Sequence, residues 1–153
     1  MDGAPTHVDW TRGDYEISTD PARLDLDLTH RFLSEDAYWS PGVPREIVER
    51  AIGNSMVFGV YHVGPSGSAQ VGLARVVSDR ATFAWICDVF VLPEHRGQGL
   101  GKWLMECITS HQELQGLRRM VLATRDAHGL YAQYGFTPLE DPSRFMVRRD
   151  PGR

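Results

Sequence analysis

The sequence predicts an α/β fold: a central mixed sheet, largely antiparallel, flanked by helices on both faces, with element order β-α-α-β-β-β-α-β-α-β. Three observations predict it. Apolar residues recur at helical spacing in several separate stretches. They alternate with a period of two in the stretches between. Three strand-like runs also follow one another between residues 56 and 92 with only short turns among them, close enough for an antiparallel meander.

Residues 1–13 are polar, contain Gly3, Pro5 and Gly13, and are expected to form a flexible lead-in to a single domain over residues 14–149, with 150–153 as a tail. Residues 15–18 suit a first strand. Residues 21–33 place Leu24, Leu28 and Phe32 four apart, on one face of a helix. A second helix starts at Pro44, carries the stripe Ile47, Val48, Ala51 and Ile52, and stops at Gly53. Residues 56–63 are rich in Val, Phe and Tyr, and Gly64-Pro65-Ser66-Gly67 follows as a turn. Residues 70–78 form the next strand, and Ser78-Asp79-Arg80 a short turn. Residues 82–92 make a third strand, with Phe83, Trp85, Cys87, Val89 and Val91 expected on one face. Leu100, Trp103, Leu104, Cys107 and Ile108 then fall at i, i+3, i+4, i+7 and i+8, a helix over 99–111. Residues 120–124 read as a strand. Ala127, Leu130, Tyr131 and Tyr134 line a helix closed by Gly135, and 145–148 reads as a last strand.

Composition excludes several classes of function. At 153 residues, 42% hydrophobic and 24% charged, the chain has the balance of one globular domain. A net charge of −4 gives no general attraction to nucleic acid. No window approaches the 18 or so apolar residues that cross a bilayer, and the N-terminus lacks the apolar core of a signal peptide, so no membrane association is expected. Cys87 and Cys107 lie in apolar stretches outside any C-x-x-C pair and read as reduced thiols of a cytoplasmic protein. The His residues show no metal-ligand spacing, so no metal is assigned.

The most informative stretch is Val89-Phe90-Val91-Leu92-Pro93-Glu94-His95-Arg96-Gly97-Gln98-Gly99-Leu100-Gly101-Lys102. A strand ends, a short loop follows, and three glycines at alternate positions lead into an amphipathic helix. Inside a helix each glycine costs up to about 1 kcal/mol against alanine. Such a run makes sense where the backbone adopts positive φ or meets a ligand closely. An anion gathers at a helix N-terminus, because the first amides are unpaired and the dipole is positive there. Arg96 and Lys102 add a cation at each end, so the implied ligand is a phosphate or diphosphate. It is not a Walker A loop, since the spacing is wrong and Trp103 stands in place of the Mg-binding hydroxyl; nor is it G-x-G-x-x-G, since the glycines read G-x-G-x-G.

R-G-Q-G-L-G-K after V-F-V-L-P-E-H resembles the R/Q-x-x-G-x-G/A acyl-CoA signature of the GNAT N-acetyltransferase superfamily, and Gly129-Leu130-Tyr131-Ala132-Gln133-Tyr134-Gly135-Phe136 is similar to its F-Y-x-x-x-G-F segment. The resemblance covers about residues 14–149 and implies a GNAT-like fold, acetyl-CoA as co-substrate, and acetyl transfer to a primary amine of a small molecule or peptide through a ternary complex. It implies that the backbone of Arg96, Gly97, Gln98, Gly99, Leu100, Gly101 and Lys102 holds the pyrophosphate, and that the pantetheine arm pairs with the main chain of Val89, Phe90 and Val91. Tyr131 matches the tyrosine that protonates the departing thiolate. Thr124 stands where many relatives carry a cofactor-contacting Asn.

The general base stays open. The places where relatives carry one fall on Trp85 and Cys87, neither a base; Asp88 is adjacent but expected on the opposite face, where a hydrogen-bonded structural carboxylate is the alternative. The stretch Ser34-Glu35-Asp36-Ala37-Tyr38-Trp39 pairs acidic and aromatic residues, which suits either the wall of a cationic-amine site or a solvated helix end. A non-catalytic acyl-CoA-binding or regulatory module is the alternative function, and the chain is expected to be a monomer or a homodimer.

Overall fold

The computed structural model describes residues 7–151; the expected lead-in over residues 1–6 and the end of the tail, 152–153, lie outside them. Strands β1 (Asp9–Arg12), β2 (Tyr15–Ser18), β3 (Met56–Gly64), β4 (Gly67–Ser78), β5 (Phe83–Val91) and β6 (Arg119–Leu122) form one sheet in the order β1-β2-β3-β4-β5-β6. Every neighbouring pair is antiparallel except β5 and β6, which are parallel. Helices α1 (Leu26–Arg31) and α2 (Arg45–Gly53) cover one face, and α3 (Leu100–Ser110) and α4 (His128–Ala132) the other. The expected mixed, mainly antiparallel sheet with helices on both faces is therefore what the chain forms.

Two cores follow from the pleat of β3. Met56, Phe58 and Val60 point to the α3 side and join Leu100, Trp103, Leu104 and Ile108, whereas Val57 points to the α1 and α2 side and joins Phe32, Val48, Ile52, Leu73 and Phe90. A buried polar link fixes α1 to β4. Gln70 Oε1 accepts from the Asp25 N–H at 2.7 Å, and its amide donates to Thr29 Oγ1 at 3.1 Å.

The structure corrects several expectations. The lead-in is a strand at Asp9–Arg12: Trp10 stacks on Phe58 at 6.1 Å between ring centres, and the Arg12 guanidinium sits 4.9 Å from the Trp103 ring. The single helix expected over residues 21–33 is broken, because the Asp25 carboxylate caps the Leu28 N–H at 3.0 Å and restarts the helix after a short turn at Pro21–Arg23. Gly53 lies inside α2, and Asn54 follows as its cap. β6 ends at Leu122, so Thr124 lies past the strand. The strand expected over 145–148 is absent: no described strand pairs with β6 besides β5, and Met146 stands 98% exposed. A ladder needs a partner edge, and among the described residues the segment pairs with none.

The alternation of β5 is corrected too. Leu73 pairs with Phe90 and Arg75 with Cys87, so two steps on β4 match three on β5. The extra residue is a bulge at Asp88, whose φ is +51°. The bulge reverses the pleat. Ala84 and Ile86 before it, and Val89 and Val91 after it, face the α3 core, while Phe90 turns to the α1 and α2 side and stacks on Phe32 at 4.0 Å.

Candidate active site

The glycine-rich elbow is built as its residue types demand. After β5 a single turn, Pro93–His95, brings the chain round, and Gly97 and Gly99 both take the left-handed conformation, at φ +81° and +76°. Glycine adopts it freely, whereas other L-residues pay about 1–2 kcal/mol. An added Cβ at either position would meet nothing within 4 Å, so the space beside them is open. Gly99 is the N-cap of α3, and the first helical bond runs from the Trp103 N–H to the Gly99 carbonyl at 3.0 Å. The amides of Leu100, Gly101 and Lys102 precede it and have no acceptor within the helix. Arg96 Nε donates to the Val91 carbonyl at 2.8 Å and pins the elbow to the end of β5. Arg96 and Lys102 are both exposed. Together the open glycines, the free helix-start amides and the two cations form a cradle that fits a diphosphate.

β5 and β6 pair from Phe83↔Arg119 to Ile86↔Leu122 and then part. The parting begins where the Asp88 bulge bends β5, and the gap opens into a cleft of about 680 Å³. Its walls include Trp85 to Val89 from β5, Leu122 at the end of β6 and residues 123–127 from the connection that follows, Tyr131 from α4, and Tyr38 and Trp39 from the loop between α1 and α2. Beyond Ile86 the outer edge of β5 carries no strand in the described chain. An unpaired edge offers main-chain donors and acceptors to an extended amide ligand.

Tyr131 is buried, 8% exposed, and lines this cleft. Burial, with Tyr38 beside it, raises its phenol above the usual tyrosine range. Tyr134, three residues on, does not share the cleft and lines a separate groove beside β6. Cys87 also lines the cleft, and burial pushes its thiol up to about 11, so it is a neutral thiol near neutral pH. The Thr124 hydroxyl accepts from the Ala127 N–H at 3.0 Å, which shapes the entry to α4.

Asp88 reaches the cleft, but its two oxygens are engaged. Oδ1 accepts from Trp39 Nε1 at 2.8 Å and Oδ2 from Arg75 Nε at 2.7 Å. Arg75 also donates to Ser55 Oγ at 3.1 Å. These are the hydrogen bonds that the structural reading of Asp88 expects, and the carboxylate also lines the cleft. The neighbouring Tyr38 reaches the opposite wall, where its hydroxyl accepts from the Arg125 N–H at 3.2 Å and the Arg125 guanidinium lies 3.9 Å from its ring centre. Tyr38 and Trp39 therefore tie the cleft walls together. Sequence reasoning missed Arg75 and Arg125, which stand outside both motifs.

Of the expected site residues, Val89, Thr124 and Tyr131 meet at the cleft; Phe90 and Val91 do not line it, and residues 96–102 form the elbow beyond the end of β5. Of the acidic and aromatic stretch, the aromatics line the cleft and Glu35 and Asp36 do not. Among the described residues no three His, Cys, Asp or Glu side chains gather as a metal would need, and no helix is long and apolar enough to cross a membrane.

Residues 54–138 match the family described as the acetyltransferase (GNAT) domain. A Gibberella zeae protein that carries an acetyltransferase name is 38% identical over 81% of this chain and 79% of its own length. A Prochlorococcus marinus protein with an N-acetyltransferase name is 33% identical over 74% of this chain, which spans 63% of that protein. Among solved structures, a GNAT-family protein of Xanthomonas campestris pv. campestris superposes with a TM-score of 0.83 at 50% identity, over 98% of this chain and 97% of its own. A GNAT acetyltransferase of Elizabethkingia anophelis with acetyl-CoA bound shares the fold at a TM-score of 0.60 and 14% identity, over 84% of this chain and 80% of that one.

Proposed function

The chain belongs to the GNAT acetyltransferase family, and from that membership we propose that it is an N-acetyltransferase that moves the acetyl group of acetyl-CoA directly to a primary amine, carried on a small molecule or a peptide, in a ternary complex. The observation that carries the proposal is the pairing of the left-handed glycine elbow at the start of α3 with a cleft that opens at the β5–β6 parting and holds Tyr131. A relative of the same fold holds acetyl-CoA, and the open space beside Gly97 and Gly99 is what a close-lying pyrophosphate needs.

In this reading the helix-start amides of α3, with Arg96 and Lys102, hold the diphosphate, and the unpaired edge of β5 from Val89 to Val91 receives the pantetheine arm. Thr124 keeps one hydroxyl proton to donate there. The neutral amine adds to the thioester carbonyl, the C–N bond forms, and the C–S bond breaks. A backbone N–H near Val89 stabilises the oxyanion. Tyr131 gives its phenolic proton to the leaving sulfur and is reprotonated by the proton that the attacking nitrogen loses as the amide forms, or from solvent. The raised thiol of Cys87 favours direct transfer over an acyl-enzyme on that residue. The amine enters as the free base, its proton lost to solvent, since both oxygens of Asp88 are already engaged. The unbridged Cys87 and Cys107 suit a cytoplasmic setting.

One observation favours a second reading, a non-catalytic acyl-CoA-binding module: both oxygens of Asp88, the cleft carboxylate on β5, already accept hydrogen bonds from the protein. Free-thiol release from acetyl-CoA, screened over small amines, peptides and aminoglycosides, separates the two. Amine-dependent thiol release supports the enzyme. Acyl-CoA binding without turnover of any amine supports the module.

A further inference from the structure

From Pro93 to Gly99, every residue of the elbow is exposed except His95. An added Cβ at Gly97 or Gly99 would meet no atom within 4 Å, so nothing supports those residues on that side. The chain is tied in just before the turn, where the Leu92 N–H donates to the Val71 carbonyl at 2.8 Å, and Arg96 Nε returns to the Val91 carbonyl of the strand it has just left. His95 makes a different connection. Its Nδ1 lies 2.8 Å from the hydroxyl oxygen of Tyr15, which stands on β2, 80 residues away in sequence. The bond forms in either tautomer, the phenol donating to a bare Nδ1 or accepting from a protonated one. The two rings meet edge to face at 5.8 Å between centres. His62 of β3 stands opposite Tyr15 in the ladder, and its ring lies 5.0 Å from that of Tyr15 and 5.2 Å from that of His95.

Rings from β2, β3 and the elbow thus form one latch, and Arg96 and Gly97 follow it directly in the chain. A loop that is loose before a ligand arrives must be ordered as it binds, and the entropy lost is taken from affinity. A loop already pinned to the sheet loses less. Tyr15 does not line the cleft that holds Tyr131, so its route to the reaction is through the elbow. We propose that Tyr15 is a positioning residue for the coenzyme: through His95, with His62 packed beside both, it sets the elbow where its amides meet the diphosphate. The proposal rests on reading the elbow as the diphosphate site.

The test is calorimetric titration of CoA into the full chain and its variants, well below their melting temperatures. Tyr15→Phe keeps the ring and removes the hydroxyl, and His95→Leu removes its partner. Each should weaken CoA binding about three- to tenfold, the range that one net hydrogen bond supports. The double variant should bind no more weakly than the weaker single one, since both substitutions remove the same bond. His95→Asn sets an amide about where Nδ1 stands, so it should recover most of the affinity beside Tyr15 and none of it beside Tyr15→Phe. A residue that only stabilised the fold would lower the melting temperature and leave these affinities alike. Wild-type affinity in a folded Tyr15→Phe overturns the proposal, and so do losses that multiply in the double variant. Should Tyr15→Phe not fold, His95→Leu against His95→Asn decides, and equal affinities of those two overturn it. A wild-type chain that does not bind CoA overturns the diphosphate reading of the elbow and this proposal with it, a result distinct from tight binding that ignores Tyr15.

Discussion

Trp39 donates its indole N–H to Asp88 Oδ1 at 2.8 Å, and that bond joins the loop between α1 and α2 to the one left-handed residue of β5. The other oxygen of the same carboxylate takes Arg75 Nε at 2.7 Å. A three-residue brace thus holds open the point where the sheet parts. The paired side chains of Arg75 and Asp88 are 18% and 13% exposed, so either one alone would be left largely desolvated.

Breaking the brace should therefore cost stability in a coupled way. Asp88→Ala and Arg75→Ala should each lower the free energy of unfolding in urea by about 2–4 kcal/mol, since each strands a part-buried partner. The double variant should cost less than the sum by about 1 kcal/mol or more. Costs that add, or an Asp88→Ala variant as stable as wild type, would remove the brace from the account.

Tyr131 and Tyr134 sit three apart in sequence but face different spaces, the first the cleft and the second the groove beside β6. Tyr131→Phe removes a hydroxyl and keeps the ring. It should lower turnover about 10²- to 10⁴-fold with near-normal CoA affinity and an unchanged melting temperature. Tyr134→Phe should be near neutral in rate. Steady-state kinetics on both variants checks the pair, and a damaged Tyr134→Phe beside an intact Tyr131→Phe would reverse the assignment.

The same phenol sets an expectation for pH. Tyr131 works as an acid only while protonated, and burial raises it above the ordinary tyrosine value. The wild-type rate should hold at alkaline pH and fall only above about 10, and Tyr131→Phe should lack that limb. A limb that persists in the Phe variant belongs to another group.

Arg96 and Lys102 are exposed cations at the two ends of the elbow in a chain of net charge −4. Their attraction to phosphate is open to screening. CoA affinity should fall about tenfold between roughly 0.05 and 0.5 M NaCl, while a pantetheine fragment without phosphates should barely respond. Titration of both ligands across salt checks this, and equal slopes would take the two cations out of the site.

How far the sequence foretold these features depends on how local their causes are. The elbow was legible because its cause is local: Gly97 and Gly99 are the residues that occupy positive φ, and α3 follows at once with a clean apolar stripe. Tyr131 was legible through the resemblance of residues 129–136 to the family segment and not through helical spacing, which gave Tyr134 the same face although α4 ends at Ala132 and the two rings line different spaces. The pleat of β5 was not, because the bulge at Asp88 is held by Trp39, 49 residues away, and Arg75, 13 residues away, which no periodicity reports. β1 escaped because Asp-Trp-Thr-Arg offers a single apolar residue, and what pins it is Trp10 against Phe58. Residues 145–148 have the composition of a strand, but composition does not supply the edge that a strand needs.

The central claim is that the backbone around Gly99 holds the pyrophosphate of CoA, and calorimetric titration of CoA into wild type and Gly99→Val tests it most directly. At φ +76° a β-branched residue is strained, and its branch would enter the space beside the elbow that now holds no protein atom. The account predicts saturable binding to wild type and a loss of at least about tenfold in Gly99→Val, with the variant still folded by circular dichroism. A folded Gly99→Val that binds CoA as tightly as wild type would contradict it.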